Sequence, residues 1–284
     1  EIAQCLVGSE MCIRDSYMSR VNETLDDFFS IEPYKTYRNM FSVSTSLALS
    51  PDNGAQDVLT SKETKFGFFF PDIDCPFVSD LTYGMKEYVK KVSSSIDSGN
   101  IDKCLIIMLA NYDSFAGSSY QCLDDNCNIA FLGNSKDMYP YDNRALVLRY
   151  AGGGAFAGLA SEEVVHMETI KGCTCSGCNG LATYRTMKEK GLFENVTISA
   201  KMEDSPWRDF MFHPKYSGIV DMYEGGFNHF RGVWRSENES VMNTYIPYYN
   251  TISRYAIYKH IMRRAGLTPV LDDFISNDKI EIPE

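Results

Sequence analysis

The order of apolar and polar positions predicts alternating helices and strands. Apolar residues recur at helical spacing over residues 19–30, and again over 85–92, so both segments are predicted helices. Residues 41–49 alternate large apolar side chains with Ser and Thr, which is typical of a half-buried strand. The continuous apolar run at 104–110 predicts a central strand buried on both faces, with residues 128–133 as a neighbouring edge strand.

Two further helices complete the pattern. A long central helix is predicted over residues 144–163, and a closing helix over 253–265 with Gly266 as its stop. Strands followed by a long helix that packs against them indicate an α/β or α+β layered domain. The 284 residues, 44% of them hydrophobic, suffice to bury a full core.

Charge and hydropathy narrow the possible partners. The formal net charge is -11, from 27 basic and 38 acidic residues. Because no stripe of Lys and Arg is present to neutralise phosphates, we expect no nucleic-acid partner. Since no apolar run approaches the length of a membrane span, we expect no membrane span in this fragment.

One glycine-rich segment carries the main functional signal. Residues 149–163 read RYAGGGAFAGLASEE. This resembles the signature of the IgA-peptidase-like zinc metallopeptidases, secreted bacterial enzymes whose version reads approximately HEAGGHGFAKLADEY. In this register the first ligand His falls on Arg149, the general-base Glu on Tyr150 and the second ligand His on Gly154. With the tighter HExxH spacing, the first His and the Glu fall on Tyr150 and Ala151, while the second His still falls on Gly154.

The substitutions bear directly on catalysis. A zinc hydrolase needs neutral imidazoles that bind the metal and a carboxylate that takes a proton from the metal-bound water. Arg149 and Gly154 supply no imidazole, and Tyr150 supplies no carboxylate. The resemblance therefore implies a family member that has lost its zinc site.

Other segments follow the same family in the same order. They are residues 27–38 (DFFSIEPYKTYR), 63–67 (ETKFG), 223–226 (YEGG), 231–236 (RGVWRS) and 246–250 (IPYYN). The resemblance spans residues 17–267. It implies a zincin-like metallopeptidase domain with a central sheet and an active-site helix.

The first residues have a different character. Residues 5–16 (CLVGSEMCIRDS) resemble a translated sequencing adapter, so we treat residues 1–16 as a non-native peptide and 17–284 as the metallopeptidase-like domain. We expect the natural amino-terminal part, including any signal peptide, to be missing. The family resemblance implies a secreted, periplasmic or cell-surface location.

A rearranged metal site is the alternative to a lost one. Glu162 and His166 are four residues apart and would share a face if one helix carried both, and Glu168, Glu224 and His229 could converge with them. The simpler interpretation is a solvated acidic helix end with an incidental His. Under the lost-site hypothesis no cofactor is expected, whereas the alternative requires zinc.

Cysteine is a second source of metal ligands. Cys173, Cys175 and Cys178 place three thiols within six residues, a spacing that binds zinc if a fourth ligand comes from elsewhere. The same thiols can form disulfides, which we favour if the family is secreted, and Cys122 with Cys127 would then close a small loop.

The remaining candidates lie near the carboxyl-terminal half. Glu224, in the family-like YEGG segment, is either a residue of the substrate cleft or part of a turn in which Gly225 and Gly226 adopt positive φ. His213, before Pro214, is predicted to lie in a turn. His260 stands among basic residues and is predicted to lie on the surface.

Two functional hypotheses follow. The first is a catalytically inactive pseudopeptidase that binds protein or glycoprotein in the old substrate groove. The second is an active zinc-dependent endopeptidase whose metal ligands have moved to residues such as Glu162 and His166.

Overall fold

The computed structural model describes residues 10–52, 54–57, 60–72, 75–78, 104–122, 127–173 and 180–283. They form a mixed fold of helices and small sheets, which confirms the predicted mixed helix-and-strand class. The chain divides into two compact units, residues 1–30 with 37–156 and residues 31–36 with 157–284. In the described part, no helix combines the length and the apolar character that crossing a membrane requires.

The first unit contains two sheets and the glycine-rich helix. Its elements are α1 (Glu10–Phe28), a 3-10 helix (Arg38–Met40), β1 (Gln56–Asp57), β2 (Phe68–Asp72), β3 (Cys75–Val78), β4 (Leu105–Leu109), β5 (Gly117–Cys122), β6 (Cys127–Leu132), α2 (Asn143–Leu146) and a π-helix (Val147–Phe156). Strands β1, β2 and β3 form one mixed sheet, and β4, β6 and β5 form another in that order.

The two predicted apolar strands are both present, as β4 and β6, but the strand predicted to be central lies at the edge of the described sheet and the predicted edge strand lies in its middle. All five residues of β4 are buried, as its continuous apolar run predicted. Strand β6 pairs with β4 in parallel and with β5 in antiparallel orientation. Among the described residues β6 is therefore the middle strand, and the prediction that it is an edge strand was wrong. Its other neighbour, β5, is too polar in sequence to have been recognised.

Helix α1 confirms the first predicted helix and begins earlier, at Glu10. Val21 and Phe28 on its apolar stripe are buried. The predicted strand at 41–49 was wrong, because these residues are irregular apart from one bridge position at Leu47. Phe41 instead packs its ring against Phe29, with 5.3 Å between the ring centroids. The predicted helix at 85–92 lies outside the described residues.

The predicted central helix at 144–163 is shorter and of a different kind. It begins at α2, where the Asp142 carboxylate caps the helix by accepting the Ala145 N–H at 2.9 Å. It continues as the π-helix and ends at Phe156. Gly158 then adopts a φ of 63°, which turns the chain out of the helix, and residues 159–163 are irregular.

The second unit is built around one long strand. Its elements are β7 (Val164–Thr169), α3 (Gly180–Glu189), β8 (Val196–Thr197), a 3-10 helix (Met202–Asp204), α4 (Arg208–Phe212), β9 (Tyr223–Gly226), β10 (Asn228–Arg235), α5 (Thr251–Arg264) and α6 (Leu271–Asn277). Strand β10 pairs with β7 in parallel orientation and with β8 and β9 in antiparallel orientation.

Helix α5 confirms the predicted closing helix and its stop signal. The Asn250 side chain accepts the Ser253 N–H at 2.8 Å and caps the first turn. At the other end Gly266, with a φ of 76°, donates to the Arg263 carbonyl, and Leu267 donates to the Met262 carbonyl. This pair of bonds is the Schellman arrangement that a glycine after the last turn predicts.

A buried ion pair anchors the segment after α6 to α5. Arg254 Nε lies 2.7 Å from Asp278 Oδ1, and both side chains are about 1% exposed. Arg254 Nη1 also donates to the Tyr249 carbonyl at 2.6 Å. Burial acts to lower the pKa of Arg254, but the hydrogen bonds and charge of Asp278, together with Tyr248 and Glu237, outweigh it and raise that pKa.

Candidate functional site

The π-helix determines which residues of the glycine-rich signature lie on the same helix face. In a π-helix each N–H bonds to the carbonyl five residues earlier, so residues five apart lie nearly one above the other. In an α-helix the same two positions would be about 140° apart around the axis. Arg149 and Gly154 are five residues apart within the π-helix. The helix therefore places on one face the two positions where the six-residue form of the signature has its histidines.

Gly154 has no room for a side chain. A Cβ atom built there would lie 2.1 Å from Ser119 Oγ and 2.7 Å from Ser119 Cβ, both far inside van der Waals contact. Ser119, on β5, is held in place because its hydroxyl donates to the Tyr150 carbonyl at 2.7 Å. The space beside Gly154, which aligns with the second His of the signature that this segment resembles, is thus filled by a serine from the neighbouring strand.

The other two signature positions are also committed to packing. Arg149 is 4% exposed, and its guanidinium carbon lies 5.6 Å from the centroid of the Tyr150 ring. The Tyr150 ring covers Gly117 on β5 so closely that a Cβ there would lie 2.2 Å from Tyr150 Cδ2. At the position that aligns with the Glu of the resembled signature, this chain therefore has an aromatic ring that packs against β5.

Glu162, a candidate ligand of the rearranged site, lies at the centre of a buried hydrogen-bond network. Its side chain is buried, with the residue 1% exposed. Its carboxylate accepts from Asn195 Nδ2 at 2.8 Å, from Ser240 Oγ at 2.5 Å, and from Asn250 Nδ2 at 2.7 and 3.0 Å. We call these four residues the Glu162 network.

Burial and hydrogen bonding act in opposite directions on Glu162. Burial raises the pKa of its carboxyl group, while the hydrogen bonds from Ser240, Asn195 and Asn250 lower it, and burial prevails. The amide oxygens are also used: Asn195 accepts the Ala160 N–H at 2.9 Å, and Asn250 caps α5. The network thus connects the segment around Glu162 to residues 195, 240 and 250, which are distant from it in sequence.

His166 lies on β7, outside any helix. The prediction that Glu162 and His166 share a helical face was wrong, because the helix ends at Phe156. His166 pairs in register with His229 on β10, and their ring centroids are 6.1 Å apart. His229 is fully buried, and its Nδ1 contacts the Phe227 carbonyl oxygen.

Metal-ligating side chains do not cluster in the described part of the chain. No group of three or more His, Cys, Asp or Glu side chains there is placed to hold a metal ion. Cys175 and Cys178 of the cysteine cluster lie outside the described residues. Cys122 and Cys127 are cross-strand Cα partners on β5 and β6.

Glu224 lies in strand β9, so the turn predicted as one of its two interpretations is not where this residue sits. Its Oε1 accepts the Gly232 N–H at 3.0 Å, across the β9–β10 hairpin. Gly225 and Gly226 have φ of 107° and 152°, as the positive-φ interpretation predicted. Arg235 Nη1, on β10, donates to the Gly225 carbonyl at 2.8 Å, a second bond across the same hairpin.

Of the predictions for the two remaining histidines, one is confirmed and one is wrong. His213 lies in a turn as predicted, and its Nδ1 accepts the Lys215 N–H at 3.2 Å. The prediction that His260 lies on the surface was wrong, because it is half-buried on α5. Its basic neighbours along the chain suggested exposure, but packing of the helix encloses the ring.

Sequence reasoning did not single out Ser119, Asn195 or Ser240. Of the three donors to Glu162 only Asn250 carried a local signal, since Asn is a favoured residue immediately before a helix. Comparison of the chain with protein-family models and with curated protein sequences finds no match. The family likeness therefore rests on the segments of sequence quoted above.

Proposed function

We propose that this chain is a non-catalytic relative of the IgA-peptidase-like metallopeptidases, a pseudopeptidase with a zincin-like fold that binds protein or glycoprotein. The observation that carries the proposal is the packing at Gly154. Ser119 occupies the volume that a ligand histidine would need there, so the position is shaped for glycine. A site that has merely lost one side chain would leave that volume empty.

The π-helix supports the relationship itself. The family signature places its histidines five residues apart, and this helix brings positions 149 and 154 onto one face. The frame of the signature is therefore kept while its reactive side chains are replaced by Arg149, Tyr150 and Gly154. We propose a secreted, periplasmic or cell-surface protein on the same grounds of resemblance.

The alternative function, an active zinc endopeptidase with rearranged ligands, receives no comparable support. Both carboxylate oxygens of Glu162 accept hydrogen bonds from amide and hydroxyl groups. A metal ion would have to displace these donors, and the amide groups of Asn195 and Asn250 would then lose their buried acceptor.

The test measures metal content, cleavage and binding on the same preparation. The purified chain is loaded with zinc, dialysed and analysed for bound metal, and then incubated with immunoglobulin A and with mucin-type glycoproteins. We expect well under one zinc per chain, no cleavage products, and retention of at least one glycoprotein on the immobilised chain. Stoichiometric zinc with chelator-sensitive cleavage would replace the proposal with the alternative.

A matched variant separates loss of metal from misfolding. Glu162→Gln removes the carboxylate that the alternative needs but leaves the sequence around Gly154 unchanged. If bound zinc or cleavage depends on Glu162 while the far-ultraviolet circular dichroism is unchanged, the rearranged site is real. If binding of glycoprotein persists in this variant, the inactive-binder proposal is strengthened.

A further inference from the structure

Basic side chains from two helices of the second unit converge on one carboxylate. Lys188 lies in the last turn of α3, and its Nζ donates to the Phe193 carbonyl at 3.1 Å. The next residue, Glu194, forms an ion pair with Lys259 of α5. Two half-buried ammonium groups therefore lie beside a single carboxylate.

The end of α5 adds further positive charge around His260. Burial first, and then the positive charges of Arg264, Arg263 and Lys259, lower the pKa of His260 to about 4, while Glu194 opposes this. The imidazole is therefore neutral near pH 7 in the absence of a bound anion. A neutral imidazole among cations can serve as a hydrogen-bond donor to an incoming anion and as a reporter of its charge.

Helix dipoles explain only part of this arrangement. A cation in the last turn of a helix is stabilised by the negative end of the helix dipole, which accounts for Lys188, Arg263 and Arg264 individually. It does not account for Lys259 in an earlier turn of α5, nor for the meeting of basic groups from two helices around Glu194. The four cations exceed the one carboxylate by three charges, in a chain whose net charge is -11.

We propose that Lys188, Lys259, His260 and Arg263 form a binding site for an oxyanion group, a phosphate or sulfate monoester. A tetrahedral oxyanion is attracted by the excess positive charge and accepts hydrogen bonds from ammonium, guanidinium and imidazole donors. Arg263 is exposed and gives the ligand access, whereas Lys188 and Lys259 are half-buried, where solvent and salt screen their charges less. The proposal does not depend on the peptidase-like function.

The experiment uses the imidazole of His260 as the probe. The pH titration of its ring protons is followed by NMR in sodium phosphate, in sodium sulfate, and in sodium chloride at equal ionic strength. His260→Gln identifies the signal among the four histidines. We expect phosphate and sulfate to raise both the His260 pKa and the thermal midpoint of the full chain above the chloride values.

Variants and ligand sources complete the test. Arg263→Gln should weaken anion binding by about tenfold or more, whereas Arg208→Gln, which changes an exposed arginine on α4, should not. A sugar phosphate and a sugar sulfate are compared with the inorganic ions: tighter binding of an ester points to a decorated glycan, and equal binding points to the free anion. The proposal would be overturned if phosphate and sulfate changed the His260 pKa and the thermal midpoint no more than chloride does, or if Arg263→Gln and Arg208→Gln weakened anion binding equally. The basic residues would then serve only to stabilise the carboxyl-terminal ends of their helices.

Discussion

The close approach of Ser119 to Gly154 predicts a specific pattern of double-mutant coupling. Gly154→Ala places a methyl group where Ser119 Oγ and Cβ already lie, at 2.1 and 2.7 Å. Overpacking of this kind costs about 1–3 kcal/mol. Replacing a helical glycine by alanine recovers up to about 1 kcal/mol. We therefore expect Gly154→Ala to lower the free energy of unfolding by about 1–2 kcal/mol.

Two substitutions of Ser119 separate the contributions of its atoms. Ser119→Ala removes the hydroxyl and its bond to the Tyr150 carbonyl, at a cost of about 0.5–1.5 kcal/mol. It keeps the Cβ, which lies 2.7 Å from the methyl group that Gly154→Ala introduces. Ser119→Gly removes both atoms, and the next neighbour of the new methyl group is then the Arg149 carbonyl oxygen at 3.5 Å. Ser119→Gly should therefore rescue Gly154→Ala substantially better than Ser119→Ala does.

The assay is chemical unfolding of the five variants, followed by circular dichroism, with the coupling energy taken from each double-mutant cycle. We expect a favourable coupling of about 1 kcal/mol or more between Gly154→Ala and Ser119→Gly. A stable Gly154→Ala single variant, or equal coupling with both Ser119 substitutions, would refute the reasoning and remove the main support for the inactive-site proposal.

Three other predictions concern the same two units. The triple variant Arg149→His, Tyr150→Glu, Gly154→His should not bind stoichiometric zinc by metal analysis unless Ser119→Gly is added, because the serine occupies the volume of the second ligand. The folded-state pKa of Glu162 is raised, so protonation of Glu162 stabilises the fold: this contribution to the free energy of unfolding is fully present below the unfolded pKa and is lost as pH rises through the folded pKa. Unfolding measured at several pH values should show that Glu162→Gln lacks this increase in stability on acidification. Asp278→Asn should cost about 3–5 kcal/mol by leaving Arg254 buried without its counter-charge, whereas Asp113→Asn at an exposed pair should leave the unfolding midpoint unchanged.

Local sequence signals predicted the elements that local interactions determine. The apolar run of β4 and Gly266 at the end of α5 act within a few residues of themselves, so a buried strand and a helix end could be recognised along the chain. The π-helix could not, because three consecutive glycines do not distinguish one helical hydrogen-bond pattern from another. The strand predicted at 41–49 failed because Phe41 joins an aromatic cluster with Phe29 instead of a sheet.

The candidate site was predictable only in part for a related reason. The signature identified Arg149, Tyr150 and Gly154 as positions of interest, but it gave no sign that Ser119 from another strand would fill the ligand volume. Likewise Glu162 was recognised as a possible ligand, while its hydrogen-bond donors were not. Contacts between residues far apart in sequence leave no periodic signal in a single chain.

The Glu162 network also imposes an order on how the second unit can be completed during synthesis. Its donors follow the carboxylate by 33, 78 and 88 positions in the chain. Until Asn250 has left the ribosome, the carboxylate must stay hydrated or protonated, since burying it without its full set of donors is unfavourable. The entropy of closing so long a loop is lost before the last bonds form, which slows folding of segments joined this way. In nascent chains that stop short of Asn250, residues 159–163 should therefore stay exposed to solvent and to proteases. The second unit can complete its folding only after the carboxyl-terminal segment has been released.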